Sequence, residues 1–279
     1  MSTGTHAAAE PGFPADFVAR CLDDALAHGA RVYGITGLQG TGKSTLAAQM
    51  AALAAERGMA VAVLSVDDAY LDHDERARLA REVHPLLATR GPPGTHDVAL
   101  ACRTLDALRA GETVALPRFD KLADRRLPES RWPRAGGANL VLFEGWFLGT
   151  PPQPEAALAE PLNALERDED ADGRWRRWCN DALARDYPPL WKRIDRLLFL
   201  QGPGFDIVPD WRWQQEQSLQ ARHPDRKAMN RGQVERFVQF FERTSRQAMR
   251  TLPGIADAVV ALDAQRHPGE LLRSPLSGT

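Results

Sequence analysis

Residues Gly37-Leu38-Gln39-Gly40-Thr41-Gly42-Lys43-Ser44 satisfy the spacing G-x-x-x-x-G-K-[ST] in full. Such a loop turns sharply and presents backbone N–H groups inward, where they cradle the α- and β-phosphates of a nucleotide. Lys43 is placed to reach the β- and γ-phosphates, and the Ser44 hydroxyl can ligate Mg²⁺. Thr45, the next residue, completes the set expected to touch the nucleotide. Residues 31–36 read as a short β-strand, and residues 44–57 as an Ala- and Leu-rich helix ending at Gly58. Strand, glycine loop and helix together place phosphate at a helix N-terminus. The expected ligand is a nucleoside triphosphate.

The elements that must position this loop follow from apolar runs. Val18, Leu22, Ala25 and Leu26 mark one face of a helix before the first strand. Residues 60–65, 140–143, 196–200 and 258–262 are apolar runs of strand length, the kind that suits parallel strands buried on both faces. With residues 31–36 they make five. Helices are expected near residues 74–88 and 98–110, and a short strand at 113–116. The fold expected is α/β, a doubly wound parallel sheet of about five strands flanked by helices. Residues 13–265 form its single domain, between a disordered tail at 1–12 and a C-terminal tail at 266–279. The charge run 166–173 reads as a solvated loop.

In an open parallel sheet, ligands bind beyond the carboxyl ends of the strands. The polar residues that follow each run should therefore converge on the phosphates. After the second strand come Asp67, Asp68 and Tyr70, where an aspartate can take the proton of a substrate hydroxyl as its oxygen attacks the γ-phosphate. Either aspartate suits that role. After the third comes Glu144, closing a Walker-B-like run whose carboxylate faces Mg²⁺. Between them lie residues 90–97, with His96 and Asp97, and residues 117–126, with Arg118, Asp120, Lys121, Arg125 and Arg126. Asp97 suits a helix N-cap as well as a substrate contact. The basic cluster suits a small acidic acceptor. Residues 211–222 read as a helix broken by Pro224, and with Arg226, Lys227 and Arg231 they suit either a lid over the phosphates or an ordinary exposed helix. Asn230, three residues before Gln233, reads as an N-cap with its capping-box partner.

The ordered series Gly37–Ser44, Ser65-Val-Asp-Asp-Ala-Tyr70, Pro117-Arg-Phe-Asp120 and Phe143-Glu-Gly-Trp146 resembles the phosphoribulokinase, uridine kinase and pantothenate kinase group of P-loop kinases. Within that group it is most similar to the D-glycerate 3-kinase-like branch, through residues 90–97, 117–121 and 142–146, and through a lid-like segment at 211–216. The similarity runs from about Ile35 to Asp263. The resemblance implies a P-loop NTPase-type fold with a helical lid over about residues 205–231, and ATP and Mg²⁺ as cofactors. It further implies Asp67 as general base, Glu144 on the Mg²⁺ side, Arg118 and Asp120 toward substrate, and Arg212 in the lid. Two positions depart from the branch. Phe119 replaces a usual Tyr, which removes any hydroxyl contact there, and Ala69 replaces a usual aromatic, which would widen the pocket beside Asp67.

Composition bounds the function further. Thirty-five Lys and Arg against 37 Asp and Glu leave a net charge of −2, with no electrostatic footprint for nucleic acid. The three cysteines show no C-x-x-C spacing, which favours a reducing compartment without disulfides or structural metal. Residues 1–13 carry no Lys or Arg and no apolar core, so no signal peptide or anchor is expected there, and no apolar run approaches the roughly 18 residues of a membrane span. A cytoplasmic enzyme with ATP, a small-molecule hydroxyl acceptor and no obligate protein partner is expected. D-glycerate giving 3-phosphoglycerate is the favoured reaction. A nucleoside, a pantothenate-like acid or another sugar acid are the other acceptors. A nucleotide switch and a non-catalytic nucleotide sensor are the competing classes.

Overall fold

The computed structural model describes residues 12–222 and 228–273. The tail expected to be disordered falls almost wholly outside them, as do Pro224, Arg226 and Lys227. The first half of the chain supplies α1 (Ala15–Ala27), β1 (Val32–Gly37), α2 (Lys43–Glu56), β2 (Val61–Ser65), α3 (His73–Glu82) and α4 (Val98–Arg109). Four two-residue strands follow: β3 (Val114–Ala115), β4 (Phe119–Asp120), β5 (Arg125–Arg126) and β6 (Arg134–Ala135). Then come β7 (Leu140–Gly145), α5 (Ala164–Glu169), α6 (Arg174–Arg185), α7 (Pro188–Trp191) and β8 (Arg196–Gln201). The chain closes with α8 (Val208–Arg222), α9 (Arg231–Thr251), β9 (Ala258–Leu262) and β10 (Pro268–Arg273).

The central sheet has the order β10-β9-β8-β1-β7-β2, parallel except for β10. Alternation along each strand splits the core in two. Tyr33, Ile35, Leu142 and Leu198 face α1 and α2, packing on Phe17, Leu22, Leu46 and Met50. Val32, Leu64, Phe143 and Phe199 face the other layer, with Leu105 of α4, Ala182 of α6 and Phe241 of α9. A smaller cluster of Leu38, Phe205, Val208, Val234 and Val238 seats the starts of α8 and α9 against the glycine loop. The five parallel strands are those expected from the apolar runs.

Three expectations are corrected. A sixth strand, β10, occupies part of the expected C-terminal tail and pairs antiparallel with β9. It is pinned by Arg273, whose Nε donates to Asp24 of α1 at 2.9 Å. An edge strand with one solvated face carries no continuous apolar run. The short strand expected at 113–116 forms as β3, which pairs with β6 in a separate ribbon. The helix expected over 74–88 stops at Glu82 and resumes as a 3₁₀ turn at Pro85, because proline restricts the residue before it and lacks an N–H. The charge run 166–173 is solvated only in part: residues 166–169 belong to α5, and two of its acids are buried. Glu166, fully buried, receives Nε and Nη2 of Arg243 at 2.7 and 2.6 Å, and Asp170 accepts the Trp175 N–H at 2.7 Å and pairs with Arg176. Buried charges of this kind are paired, and the partner of Glu166 lies 77 residues along the chain.

Candidate active site

Gly37 ends β1 where a Cβ would stand 2.5 Å from the Leu200 carbonyl oxygen of the neighbouring strand. The turn then needs left-handed backbone at Gly40 (φ +84°) and at Gly42 (φ +83°), which only glycine adopts without strain. Gly42 caps α2 with no side-chain acceptor, and the first turn of α2 carries no acid. Its N–H groups and positive dipole end are thus left for phosphate. Lys43 is buried, its Nζ donating to the Leu38 carbonyl at 2.9 Å and lying 3.5 Å from Thr41 Oγ1. Burial lowers the Lys43 pKa, and the nearby carboxylates of Glu144 and Asp67 oppose that shift. Leu38 and Thr41 turn inward, Leu38 into the small core cluster and Thr41 Oγ1 onto the Leu38 carbonyl at 2.8 Å, so they can offer a nucleotide only backbone. Thr45 is half-buried on the first turn of α2 and does not line the cleft.

Parallel register sets the end of β7 between β1 and β2, with Glu144 opposite Ile35 and Ser65. Glu144 is only 7% exposed, and Ser44 Oγ donates to its Oε1 at 3.1 Å. Burial raises its pKa despite the adjacent Lys43 ammonium. A hydroxyl and a buried carboxylate in contact form a hard oxygen donor set suited to Mg²⁺, whose charge would reverse that burial cost.

Beyond β2, Ser65 Oγ accepts the Asp67 N–H at 3.2 Å and opens the 3₁₀ turn Val66–Ala69. Asp67 Oδ2 accepts a hydrogen bond from Lys121 Nζ at 2.6 Å. Burial alone would raise the Asp67 pKa; the Lys121 charge and hydrogen bond, helped by the Tyr70 hydroxyl, outweigh it and hold Asp67 down at about 2. Asp68 faces elsewhere, pairing with Arg118 at 2.9 Å, and burial raises its pKa. Asp67, Tyr70 and Lys121 line a cleft of about 500 Å³ with Gln39, Gly40, Lys43, Ser44 and Glu144. Trp146, Phe237 and Phe241 supply an apolar wall. From α8, Arg212, Gln215, Leu219 and Arg222 line the other side. Arg212 lies over the Phe237 ring at 5.5 Å and pairs with Glu216 at 3.2 Å.

Several residues expected at the substrate stand outside the cleft. Asp120 Oδ1 accepts the N–H groups of Leu122 and Ala123 at 2.9 and 3.0 Å, shaping the β4–β5 turn. Asp97 caps α4 through the Leu100 N–H at 2.9 Å and pairs with Arg126 at 3.4 Å. Arg118 serves Asp68, and Arg125 is turned outward onto Asp74 at 3.2 Å, so the four-residue basic clamp reduces to Lys121. Ala69 is buried in the core, so it does not widen the cleft. Phe119 packs edge-on to Tyr70 at 5.3 Å. Arg90 is the reverse case. It lines the cleft, yet its place at the head of the 90–97 loop is the only signal the chain carries for it. Asn230 is the N-cap of α9 with its capping-box partner Gln233.

His96 lies behind Tyr70, its ring 4.9 Å away and Nδ1 2.7 Å from the Tyr187 hydroxyl. Burial pushes its pKa down to about 4, against the pull of the Asp67 charge. The unfolded chain, with an ordinary histidine, therefore binds more protons between those pH values. Stability must fall as pH is lowered through about 6.5 toward 4, by roughly 2 kcal/mol between pH 7 and 5. Urea titrations at both pH values should show that loss in the wild type and a smaller one in His96→Gln. Equal losses in the two proteins would refute a buried neutral His96.

A family model for the methylmalonyl-CoA mutase-associated GTPase MeaB matches residues 17–72. The "Uncharacterized kinase mug58" of Schizosaccharomyces pombe is 36% identical over 221 residues, covering 75% of this chain and 78% of that one. The chloroplastic D-glycerate 3-kinase of Arabidopsis thaliana is 31% identical over 221 residues, which cover 74% of this chain and 45% of the plant protein. The solved D-glycerate 3-kinase of Cryptococcus neoformans superposes with a TM-score of 0.73 at 25% identity, over 93% of this chain and 97% of that one.

Proposed function

We propose, from the chain's membership of the D-glycerate 3-kinase-like P-loop kinases, that it transfers the γ-phosphate of ATP to a hydroxyl of a small anionic acceptor, D-glycerate first among them. The observation that carries this reading is that Lys43, Ser44, Glu144, Asp67 and Lys121 all line one cleft. Lys43 and the N–H groups of the loop hold the phosphates. Ser44 and Glu144 would hold Mg²⁺, which when bound neutralises charge on the β- and γ-phosphate oxygens. Asp67 receives the acceptor hydroxyl. As that oxygen bonds to the γ-phosphorus, the bond to the bridging oxygen breaks and ADP leaves, while the hydroxyl proton passes to Asp67.

A carboxylate held near pKa 2 is a weak base, which suits a loose transition state in which the proton moves late. An acceptor carboxylate that draws Lys121 onto itself would also release Asp67 to a higher pKa. An anionic acceptor thereby assists its own deprotonation.

A cytoplasmic site of action is part of the same proposal. It is supported by three buried free cysteines; among the described residues no helix is long and apolar enough to cross a membrane. The test is ADP release from Mg-ATP with and without D-glycerate, with the phosphorylated carbon identified in the product. Glycerate-dependent turnover yielding 3-phosphoglycerate is expected. ADP release equal to the no-acceptor blank would reject glycerate, and the same blank across nucleosides and hydroxy acids would reject the kinase reading.

A further inference from the structure

The turn between β4 and β5 holds Asp124 in left-handed backbone, at φ +54°. A non-glycine residue stays there when its surroundings over-determine it. Here two arginines and a histidine do so. Arg76 Nη2 stands 2.8 Å from Asp124 Oδ2, Arg90 Nη1 2.5 Å from Oδ1, and His73 Nδ1 3.3 Å from Oδ2. Arg76 is a fixed strut. It is 1% exposed and donates also to the carbonyls of Leu71 and Ala88, at 3.1 and 2.5 Å. Arg90 lies with its guanidinium carbon 5.7 Å from the centre of the Phe119 ring, whose edge contact also seats Tyr70.

Arg90 is therefore held on one side only. Among the described residues it makes a hydrogen bond through Nη1 alone, so its Nε and Nη2 have no partner. That unpaired pair is the edge of the fork that matches a carboxylate bidentately. Arg90 lines the cleft beside Lys121, which leaves the same turn as Asp124. The two cations are close enough for Arg90 to disfavour protonation of Lys121. Like charges gathered at one wall of a cleft await an anion.

We propose that Arg90 is the specificity-determining residue of the acceptor site, its Nε–Nη2 edge receiving the carboxylate of a hydroxy acid, and that Asp124 is the positioning residue that holds it. This rests on the kinase reading above and deepens it, naming a carboxylate-bearing alcohol rather than a neutral sugar or nucleoside as the acceptor class.

The test is ADP release with D-glycerate and pantothenate as acids and glycerol and uridine as neutral acceptors. It is run on the wild type, Arg90→Gln, Arg90→Lys, Asp124→Asn and the Arg90→Gln/Asp124→Asn pair. Arg90→Gln should lose about 10- to 100-fold in kcat/KM for the acid, mostly through KM, while KM for ATP stays within about twofold. Arg90→Lys, which keeps charge without the fork, should recover part of that loss. Asparagine tolerates left-handed backbone, so Asp124→Asn keeps the turn and removes the hold; it should raise the acid KM alone and add nothing in the double variant.

If the wild type favours an acid other than D-glycerate and Arg90→Gln abolishes that preference, this inference stands and the glycerate assignment falls. A wild type that favours a neutral acceptor, an acid preference that survives Arg90→Gln, or an equal loss for acid and ATP would each overturn it. No turnover of any acceptor would overturn both readings.

Discussion

Asp67→Asn is expected to lower kcat about 10²- to 10⁴-fold while leaving KM for ATP nearly unchanged, because it removes the group proposed to take the acceptor proton and touches nothing proposed to hold phosphate. The geometry makes the effect specific to this aspartate. Asp67 lines the cleft and bonds Lys121 at 2.6 Å, whereas Asp68 is occupied by Arg118. Asp68→Asn should therefore change kcat far less. The substitution also frees Lys121, so the acceptor KM should hold steady or fall even as turnover collapses. Steady-state kinetics on the two variants decide the matter: a kcat for Asp67→Asn within about threefold of wild type would remove Asp67 from the reaction.

Lys43→Ala is expected to cost about 10²- to 10³-fold in turnover, the scale of losing one preorganised charge at a transferring phosphoryl group. Lys43 donates to the Leu38 carbonyl and faces the carboxylates of Asp67 and Glu144. A γ-phosphate would offer it a far better partner. Removing the ammonium also takes away the charge that restrains the Glu144 pKa, so metal-side binding should weaken along with phosphate binding. A second readout follows from linkage: the rise in melting temperature that Mg-ATP gives the wild type should shrink or vanish in the variant. Near-normal turnover with a normal Mg-ATP shift would mean that the loop does not hold the reacting phosphates.

The parallel strands were legible because strands buried on both faces must be continuous apolar runs, and residues 140–143 and 197–200 are such runs. β10 was not, since an edge strand opening on Pro268 and Gly269 carries no such signal. The charge run at 166–173 looked solvated because Glu166 finds Arg243 only across 77 residues. The same blindness affected the acceptor side. His96, Asp97, Arg118 and Asp120 have the composition of a substrate site, yet each is engaged away from the cleft. Arg90 has the reverse history, since its orientation depends on Asp124, 34 residues further on.

The sequence by itself determined the phosphate site. Its chemistry is local: glycines where the backbone must go left-handed, a lysine and a serine one turn later, a strand before and a helix after, all within some 25 consecutive residues. Only the tertiary structure decided which of many acids and bases line the cleft. An ionisable side chain in a loop can satisfy its charge with any opposite partner that packing brings near, and that choice is made by contacts distant in the chain. Lys121 on Asp67 and Asp124 on Arg90 are such choices, and the wall of the cleft proposed to receive the acceptor is built from them.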